Sequence, residues 1–180
     1  MSATRITDLD ALLAVLARGA GVDDGEGLDL LAHSLQCAAN VARNVPDDVE
    51  LQVAGLVHDI GTVLDPGHPE SHARTGGDAV GALLGARVAA LVAQHAVAKR
   101  YLVTVDAGYE RRLSPKSVAT LAVQGGVLDD RELAAFEARA DRDACVALRR
   151  ADDAAKVAGR VVPALDHWRP ALEECAATRR

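Results

Sequence analysis

The stretch AGLVHDIGTVL, residues 54–64, places a histidine and an aspartate side by side at the end of an apolar run. Apolar residues recur at helical spacing up to His58, so the segment predicts a buried helix that begins behind Asp47. A carboxylate at the end of such a run needs a partner or a metal ion, because an unpaired buried charge is unfavourable. The pair His58–Asp59 therefore predicts a buried polar site inside a helical fold, and a metal site is one candidate for it.

The rest of the chain repeats the helical pattern and predicts an all-α helical bundle. Helices are expected over segments 7–18, 27–45, 47–58, 71–84, 86–98, 114–124, 141–158 and 163–180, and another helix is expected to begin behind Asp129 or Asp130. Their caps are Thr7 or Asp8, Ser114, and Asp129 or Asp130. Residues 61–71 and most of residues 101–113 are interpreted as loops. A chain of 180 residues without repeat, linker or low-complexity tract predicts one domain over residues 1–180.

Composition limits the function classes. Hydrophobic residues make up 49% of the chain but aromatic residues only 2%, so Ala, Leu and Val must build the core. A net charge of -6 argues against a nucleic-acid partner, which would favour excess basic charge. No apolar run is long enough to predict a membrane span, and no signal-peptide pattern opens the chain. Three widely spaced cysteines indicate buried thiols in a reducing compartment, so we expect a cytoplasmic protein.

Two further polar residues are predicted to point inward with the His58–Asp59 pair. His33 shares the apolar face of the helix over residues 27–45, in register with Leu31 and Leu35. Asp152 lies on the inward stripe of the helix over residues 141–158. Imidazole and carboxylate groups from three helices form a set of nitrogen and oxygen ligands that suits iron, manganese or zinc.

The order His33, His58–Asp59 and Asp152 resembles the metal-binding signature of the HD-domain superfamily, most of whose members are phosphohydrolases. The resemblance implies an HD-domain helical bundle with a dinuclear metal site in its core. One metal would be held by His33, His58, Asp59 and Asp152. Asp59 would bridge to a second metal, which His72 and His95 would hold.

Four segments give a closer resemblance, covering roughly residues 26–170. They are HAVAKRYL (95–102), YERRLSPKSVATLAVQGG (109–126), FEARADRDACVALRRADDAAKV (136–157) and VPALDHWRP (162–170). The chain is similar here to the PhnZ-type HD-domain diiron oxygenases, relatives of myo-inositol oxygenase that cleave the C–P bond of 1-hydroxyphosphonates oxidatively. The resemblance implies a mixed-valence Fe(II)/Fe(III) pair, O2 as co-substrate, a carboxylic acid and phosphate as products, and catalytic roles for Asp59 and Lys99.

The spacing of several polar residues fits a phosphonate ligand. Lys99 follows His95 by four residues and shares its helix face, while Arg149 precedes Asp152 by three. The resemblance implies that the substrate is bound by Glu26, Gln36, Lys99, Ser117, Thr120, Gln124 and Arg149. Of these, Ser117, Thr120 and Gln124 share one helix face, and Glu26 would meet the amino end of a substrate.

The chain also departs from the family pattern. Asp23 stands where some members have a tyrosine that can occupy the vacant iron position, and Thr62 stands where some have a histidine. His68 competes with His72 as a ligand, although HARTGGDAVGALLG, residues 72–85, favours His72. The departures lie where the variable end of the substrate is expected.

Several alternatives stay open at the level of sequence. The substrate could be 2-amino-1-hydroxyethylphosphonate, an N-methylated analogue or hydroxymethylphosphonate, of either stereochemistry where the carbon is chiral. The rival functions are an HD-type phosphohydrolase acting on a nucleotide or small phosphate ester, and a non-catalytic binding protein. The oligomeric state could be a monomer or a homodimer.

Overall fold

The fold is an all-helical bundle, as the sequence predicts. The computed structural model describes residues 5–178, and within that range it contains no β-strand. The helices are α1 (Leu9–Ala17), α2 (Leu30–Asn44), α3 (Val49–Val57), α4 (Ile60–Leu64), α5 (His72–Leu84), α6 (Ala86–Val105), α7 (Pro115–Val123), α8 (Asp130–Glu137), α9 (Arg142–Asp153) and α10 (Arg169–Thr178). Short 3-10 turns cover Glu110–Arg112 and Leu165–Trp168.

Side-chain caps set where several helices begin. The cap of α1 is Asp8, and that of α7 is Ser114; each side chain accepts a hydrogen bond from a backbone N–H three residues on. Asp129 caps α8 in a capping box with Glu132. The expected cap of α3 was wrong by one residue, because Asp48, not Asp47, accepts from the N–H of Leu51.

Several predicted boundaries are wrong. The last helix begins at Arg169 instead of near Pro163, because Leu165–Trp168 form a 3-10 turn. Helix α6 continues to Val105 instead of ending near residue 98, since Leu102 lies in the core and Asp106 ends the helix. Residues 60–64 form the short helix α4, so the following loop begins only at Asp65. Helix α9 ends at Asp153, and residues 154–157 turn back towards α2.

The core lies between α2, α3, α5, α6 and α9, with side chains of α1 and α10 packed into it, and α3 is almost fully enclosed. Small residues allow the helices to approach closely: a Cβ atom on Gly77 of α5 would lie 2.7 Å from the carbonyl oxygen of Ala89 in α6. The three cysteines are buried free thiols. None of the helices in the described part of the chain is both long and apolar enough to cross a membrane.

Candidate dinuclear metal centre and substrate pocket

Three of the predicted ligands meet at the centre of the bundle. His33 comes from α2, His58 ends α3, and Asp152 lies in the last turn of α9. The Nε2 atom of His33 lies 3.2 Å from Nε2 of His58 and 3.1 Å from Oδ1 of Asp152. All three residues are buried, so their donor atoms form one compact group that could hold a metal ion.

A second group lies on the other side of Asp59. His72 at the start of α5 and His95 in α6 bring their Nε2 atoms within 3.0 Å of each other. The Oδ1 atom of Asp59 is 3.4 Å from Nε2 of His72 and 3.6 Å from Nε2 of His95. The other carboxylate oxygen, Oδ2, is 3.4 Å from Nε2 of His58 and 3.7 Å from Nε2 of His33. One carboxylate therefore faces both groups, one oxygen towards each.

The four histidine rings are held in the same way, each by a backbone carbonyl oxygen. In each ring Nε2 faces the cluster while Nδ1 lies 2.6–3.0 Å from a backbone carbonyl oxygen: Ala155 for His33, Gly55 for His58, Pro69 for His72 and Val92 for His95. A proton on Nδ1 can be donated to that carbonyl, which leaves the Nε2 lone pair for a metal. Such backing of ligand rings is typical of metal sites.

Electrostatics also suit a cation at this place. Burial is the largest influence on the pKa of His58 and would lower it, but Asp59 and Cys37 together outweigh burial and raise that pKa well above its ordinary value. Burial opposes ionisation of Asp59, yet His58 holds the pKa of that carboxyl well below its usual range. Burial lowers the pKa of His95 to about 4, so this ring is neutral at pH 7. The ionised Asp59 and the neutral His95 are thus in the state that metal ligation requires, whereas His58 would release its proton when a cation binds.

The structure separates the two histidines that compete for the second group. His72 is buried and faces Asp59, whereas the side chain of His68 is 59% exposed and pairs with Glu70 at 3.0 Å. Gly61 permits this arrangement, because a Cβ atom there would lie only 1.9 Å from the carbonyl oxygen of His72. The close contact fixes where α5 begins and so where its first ring lies.

A cavity of about 220 Å³ opens beside Asp59. Its lining includes every candidate metal ligand except His58, and most of the predicted substrate-binding residues, namely Glu26, Lys99, Ser117, Thr120, Gln124 and Arg149. The volume lies below the usual range for drug-sized ligands, so the cavity suits a ligand of only a few heavy atoms. It is a small polar chamber that opens directly onto the candidate metal centre.

Lys99 brings a buried ammonium group to this chamber. It is 2% exposed, and its Nζ donates to Oγ1 of Thr120 at 2.8 Å and to the carbonyl oxygen of Ser117 at 3.3 Å. Burial, followed by the positive charge of Arg149, lowers the pKa of Lys99 to about 7. Because its hydrogen bonds go to neutral oxygens, the charge of Lys99 is available to an anionic ligand.

The polar face of α7 forms one wall, as its spacing predicts. Ser117 is buried, Thr120 is half-buried, and Gln124 at the end of the helix donates to the carbonyl oxygen of Pro69 at 3.3 Å. The opposite face of α7 carries exposed valines. The helix thus presents two hydroxyls and an amide towards the cavity.

Arg149 lines the pocket, but its guanidinium is paired with carboxylates of the protein, whereas the resemblance implies a contact with the substrate. Its Nη1 donates to Oδ2 of Asp152 at 2.6 Å, its Nη2 pairs with Asp153, and its Nε donates to the hydroxyl of Tyr109 at 3.0 Å. Tyr109 in turn donates to Asp153. The guanidinium is therefore bound by two carboxylates, and it holds the candidate ligand Asp152 in place.

Gln36 does not line the cavity. Its side-chain amide donates to the carbonyl oxygen of Val157 at 2.8 Å and accepts from the N–H of Val157 at 3.2 Å. Both polar atoms are used by the turn after α9, which does not leave Gln36 free to bind substrate. The residue instead ties that turn to α2, next to the His33–Ala155 contact.

The two positions at which the chain departs from the family pattern, Asp23 and Thr62, lie in different parts of the structure. Thr62 lines the cavity, so the difference at this position is part of the pocket wall. Asp23 is exposed, and its carboxylate accepts from the N–H of Gly25 at 2.8 Å. It shapes the loop before α2 and is not among the residues that line the cavity.

Four polar residues of the site were not predicted from the sequence: Asp24, Tyr109, Lys116 and Lys156. Asp24, Lys116 and Lys156 line the cavity, and Tyr109 supports Arg149. Lys156 follows Asp152 by four residues, which is the one local signal that could have indicated it. Asp24 and Tyr109 lie in irregular segments, where no periodic pattern tells which way a side chain points.

The donor set fits a pair of metal ions. Four imidazoles and two carboxylates, without a thiolate in either group, suit iron, manganese or zinc. Two groups that share Asp59 provide for two ions and one bridging ligand.

Comparison with known proteins agrees with this reading of the site. No protein-family model matches the chain. Hydroxymethylphosphonate dioxygenase of Gimesia maris is 36% identical over 159 residues, covering 83% of this chain and 79% of that protein. The [1-hydroxy-2-(trimethylamino)ethyl]phosphonate dioxygenase (glycine-betaine-forming) of Leisingera caerulea is 30% identical over 157 residues, covering 83% and 80%. The chain therefore belongs to the PhnZ-type family of HD-domain phosphonate dioxygenases, and it is an oxygenase.

Proposed function

We propose that the protein cleaves the C–P bond of a small 1-hydroxyphosphonate with O2. The balanced reaction is R–CH(OH)–PO3²⁻ + O2 → R–CO2⁻ + HPO4²⁻ + H⁺. The bond between carbon and phosphorus breaks, carbon loses four electrons and O2 gains four, so no further reductant is consumed. Both named relatives are phosphonate dioxygenases, which supports this reaction class for the chain.

The observation that carries the proposal is the position of Asp59. Its two oxygens face two separate ligand groups, and the same carboxylate lines a small chamber that also holds Lys99. A paired metal site next to an ammonium group suits a substrate that has both a metal-binding hydroxyl and an anionic phosphonate.

The metal ions are proposed to be iron in the Fe(II)/Fe(III) state. One ion would be held by His33, His58, Asp59 and Asp152, and the other by Asp59, His72 and His95. When bound, the pair supplies a Lewis-acidic template for the substrate and the redox capacity to activate O2. The nitrogen and oxygen donor set accommodates iron, and both relatives use O2 by name.

The remaining polar residues are proposed to orient the substrate. Lys99 would bind a phosphonate oxygen as a charge-assisted donor, with Ser117, Thr120 and Gln124 on the facing wall. Fixing the phosphonate there would direct the hydroxyl-bearing carbon towards Asp59. Arg149 is proposed to hold Asp152 in its ligand position and to add positive potential behind the cluster.

We further propose that the whole activity resides in one domain over residues 1–180, in the cytoplasm. The ligands come from α2, α3, α5, α6 and α9, so the site draws on most of the bundle. The three buried thiols suit a reducing compartment.

The test compares phosphate release from 1-hydroxyphosphonates by the iron-loaded protein with and without O2. Phosphate, carboxylic acid and consumed O2 are expected in a 1:1:1 ratio, with release abolished under anaerobic conditions. Hydrolysis of p-nitrophenyl phosphate serves as the control for phosphohydrolase activity. Phosphate released at the same rate without O2 would contradict the oxygenase proposal and favour a hydrolase.

A further inference from the structure

Two of the four carbonyl groups that support the histidine rings lie inside helices. Gly55 of α3 supports His58, and Val92 of α6 supports His95, in each case from three residues before the ring. Backbone hydrogen bonds along a helix hold its peptide groups in place. The orientation of these two rings is therefore set by the helices that carry them.

The other two carbonyl groups lie outside the helices. Ala155, which supports His33, belongs to the turn after α9, and Pro69, which supports His72, belongs to the loop before α5. No backbone N–H among residues 5–178 donates to the carbonyl oxygen of Pro69. The position of these carbonyls, and with it the orientation of two rings, must be set by contacts from elsewhere in the chain.

A glutamine side chain supplies such a contact in both places. Gln36 of α2 donates to the carbonyl oxygen of Val157 at 2.8 Å and accepts from its N–H at 3.2 Å, two residues beyond Ala155. Gln124, at the end of α7, donates through Nε2 to the carbonyl oxygen of Pro69 itself at 3.3 Å. A carbonyl oxygen only accepts hydrogen bonds, so the amide nitrogen of Gln124 is the atom that must face it.

The contact from Gln124 ties the loop before α5 to a distant part of the bundle. Residues 65–71 otherwise form hydrogen bonds only among themselves and with α4 and α5, as far as residues 5–178 are concerned. The oxygen that Gln124 contacts lies 2.6 Å from Nδ1 of His72. Pro69 and Gln124 also line the cavity. One oxygen thus connects the pocket wall with a ligand of the second metal group.

We propose that Gln124 is a positioning residue for His72, and that Gln36 is the corresponding positioning residue for His33. Each amide holds the backbone segment whose carbonyl oxygen sets the tautomer and orientation of one ring, as groups behind metal-bound histidines do. Gln124 has a second amide N–H, so its place in the substrate-facing wall is unaffected. The proposal rests on the metal centre of the proposed function but not on the reaction, and it can be tested without turnover.

The experiment removes the amide of Gln124 and measures iron affinity. Gln124→Met keeps a side chain of similar length and loses the donor. Gln52→Met is the matched control, because Nε2 of Gln52 donates at 2.8 Å to another prolyl carbonyl, that of Pro46, outside the site. Competition of the iron-loaded proteins with a chromophoric chelator under anaerobic conditions gives the affinities. Gln124→Met should weaken the binding of one of the two ions about tenfold, and Gln52→Met should change neither.

The same change in a His72→Ala background shows which ion is affected. The ring that Gln124 positions is then absent, so adding Gln124→Met should not weaken the remaining ion any further. Adding Gln36→Met should weaken that ion about tenfold, because His33 is one of its ligands. This pattern distinguishes the positioning of particular ligands from a general loosening of the protein, which would weaken the remaining ion in both double variants.

Hydrogen exchange followed by mass spectrometry gives a readout that does not depend on affinity. Gln124→Met should speed exchange over residues 65–71 and leave residues 154–157 at the wild-type rate, and Gln36→Met should do the reverse. Wild-type iron affinity in Gln124→Met, or the same loss of affinity with and without His72, would overturn the role of Gln124. Fewer than two iron ions in the wild type would count against the metal centre itself. Unchanged exchange over residues 65–71 in Gln124→Met would still reject the link in that case.

Discussion

Nη1 of Arg149 donates to Oδ2 of Asp152 at 2.6 Å, while the other oxygen of that carboxylate faces Nε2 of His33 at 3.1 Å. Burial opposes ionisation, but Arg149 holds the pKa of Asp152 well below its usual range. Arg149 is therefore placed to orient a metal ligand, although its spacing in the sequence suggests a direct substrate contact.

Arg149→Lys tests this relationship. A lysine cannot donate to Asp152, Asp153 and Tyr109 together, so the carboxylate is expected to lose its fixed orientation. Loss of support behind a ligand reduces metal affinity about 10- to 100-fold, which an iron titration of the metal-free protein can measure. Arg150→Lys is the control, since Arg150 is exposed on the same helix. Wild-type iron affinity in Arg149→Lys would refute the supporting role.

His72→Ala and His68→Ala test which histidine of the loop is the ligand. His72 faces Asp59 at 3.4 Å, whereas His68 is exposed beside Glu70. His72→Ala is expected to lose about one of the two metal ions per chain, and His68→Ala to keep both. Metal content by plasma mass spectrometry distinguishes the two variants. Loss of a metal ion from His68→Ala and not from His72→Ala would show that His68, and not His72, is the ligand beside His95.

Gly61→Ala tests the close contact between α4 and α5. Its Cβ atom would lie 1.9 Å from the carbonyl oxygen of His72 and 2.9 Å from the backbone nitrogen of Gly76, so the helices must move apart. We expect the free energy of unfolding to fall by about 3 kcal/mol, the upper end for overpacking. Urea denaturation measures the change, and Gly67→Ala is the control because nothing lies within 4 Å of its Cβ. Equal stability of the two variants would contradict the contact.

The lowered pKa of Lys99 predicts that substrate binding depends on pH. Its pKa is lowered to about 7, chiefly by burial; Arg149 and Lys156 lower it further, and Asp152 and Asp59 oppose them. Only the ammonium form attracts an anion, so KM for the phosphonate should rise as pH increases through about 7. Lys99→Met should raise KM at pH 6 at least tenfold, because a hydrogen bond to a charged group contributes about 1.5–3 kcal/mol.

The control for this prediction is Lys99→Arg, whose guanidinium stays charged over the whole range. Titration of the phosphonate itself is common to all the proteins and cancels in the comparison. The extra rise of KM above pH 7 in the wild type should therefore be absent from Lys99→Arg. The same pH profile in wild type and Lys99→Arg would contradict the titration of Lys99 near pH 7, and an unchanged KM in Lys99→Met would contradict its binding of the phosphonate.

The sequence predicts the fold class and the meeting of the six ligands better than it predicts the pocket wall. His33, His58 and Asp152 lie on helix faces that point into the core, and helical periodicity can indicate such positions. The extension of α6 through residues 101–105 was missed, because β-branched residues favour other structures and only packing in the core makes this segment helical.

Long-range contacts explain most of the other differences. Gln36 is bound by Val157, 121 residues away, and Arg149 meets Tyr109 across 40 residues. No local spacing indicates such pairs, so a side chain that matches a motif can be used elsewhere by the fold. Asp24 has a buried carboxylate oxygen without a hydrogen-bond partner among residues 5–178. Its burial depends on how the irregular loop before α2 packs, which the sequence pattern does not indicate.

The central claim is that one carboxylate, that of Asp59, joins two metal ions. The most direct measurement is the iron content and the electron paramagnetic resonance spectrum of iron-loaded wild type and Asp59→Asn. The account predicts two iron ions per chain with the signal of a spin-coupled Fe(II)/Fe(III) pair in the wild type, and loss of that signal in Asp59→Asn. A single metal ion per chain in the wild type, or a coupled pair that persists in Asp59→Asn, would contradict it.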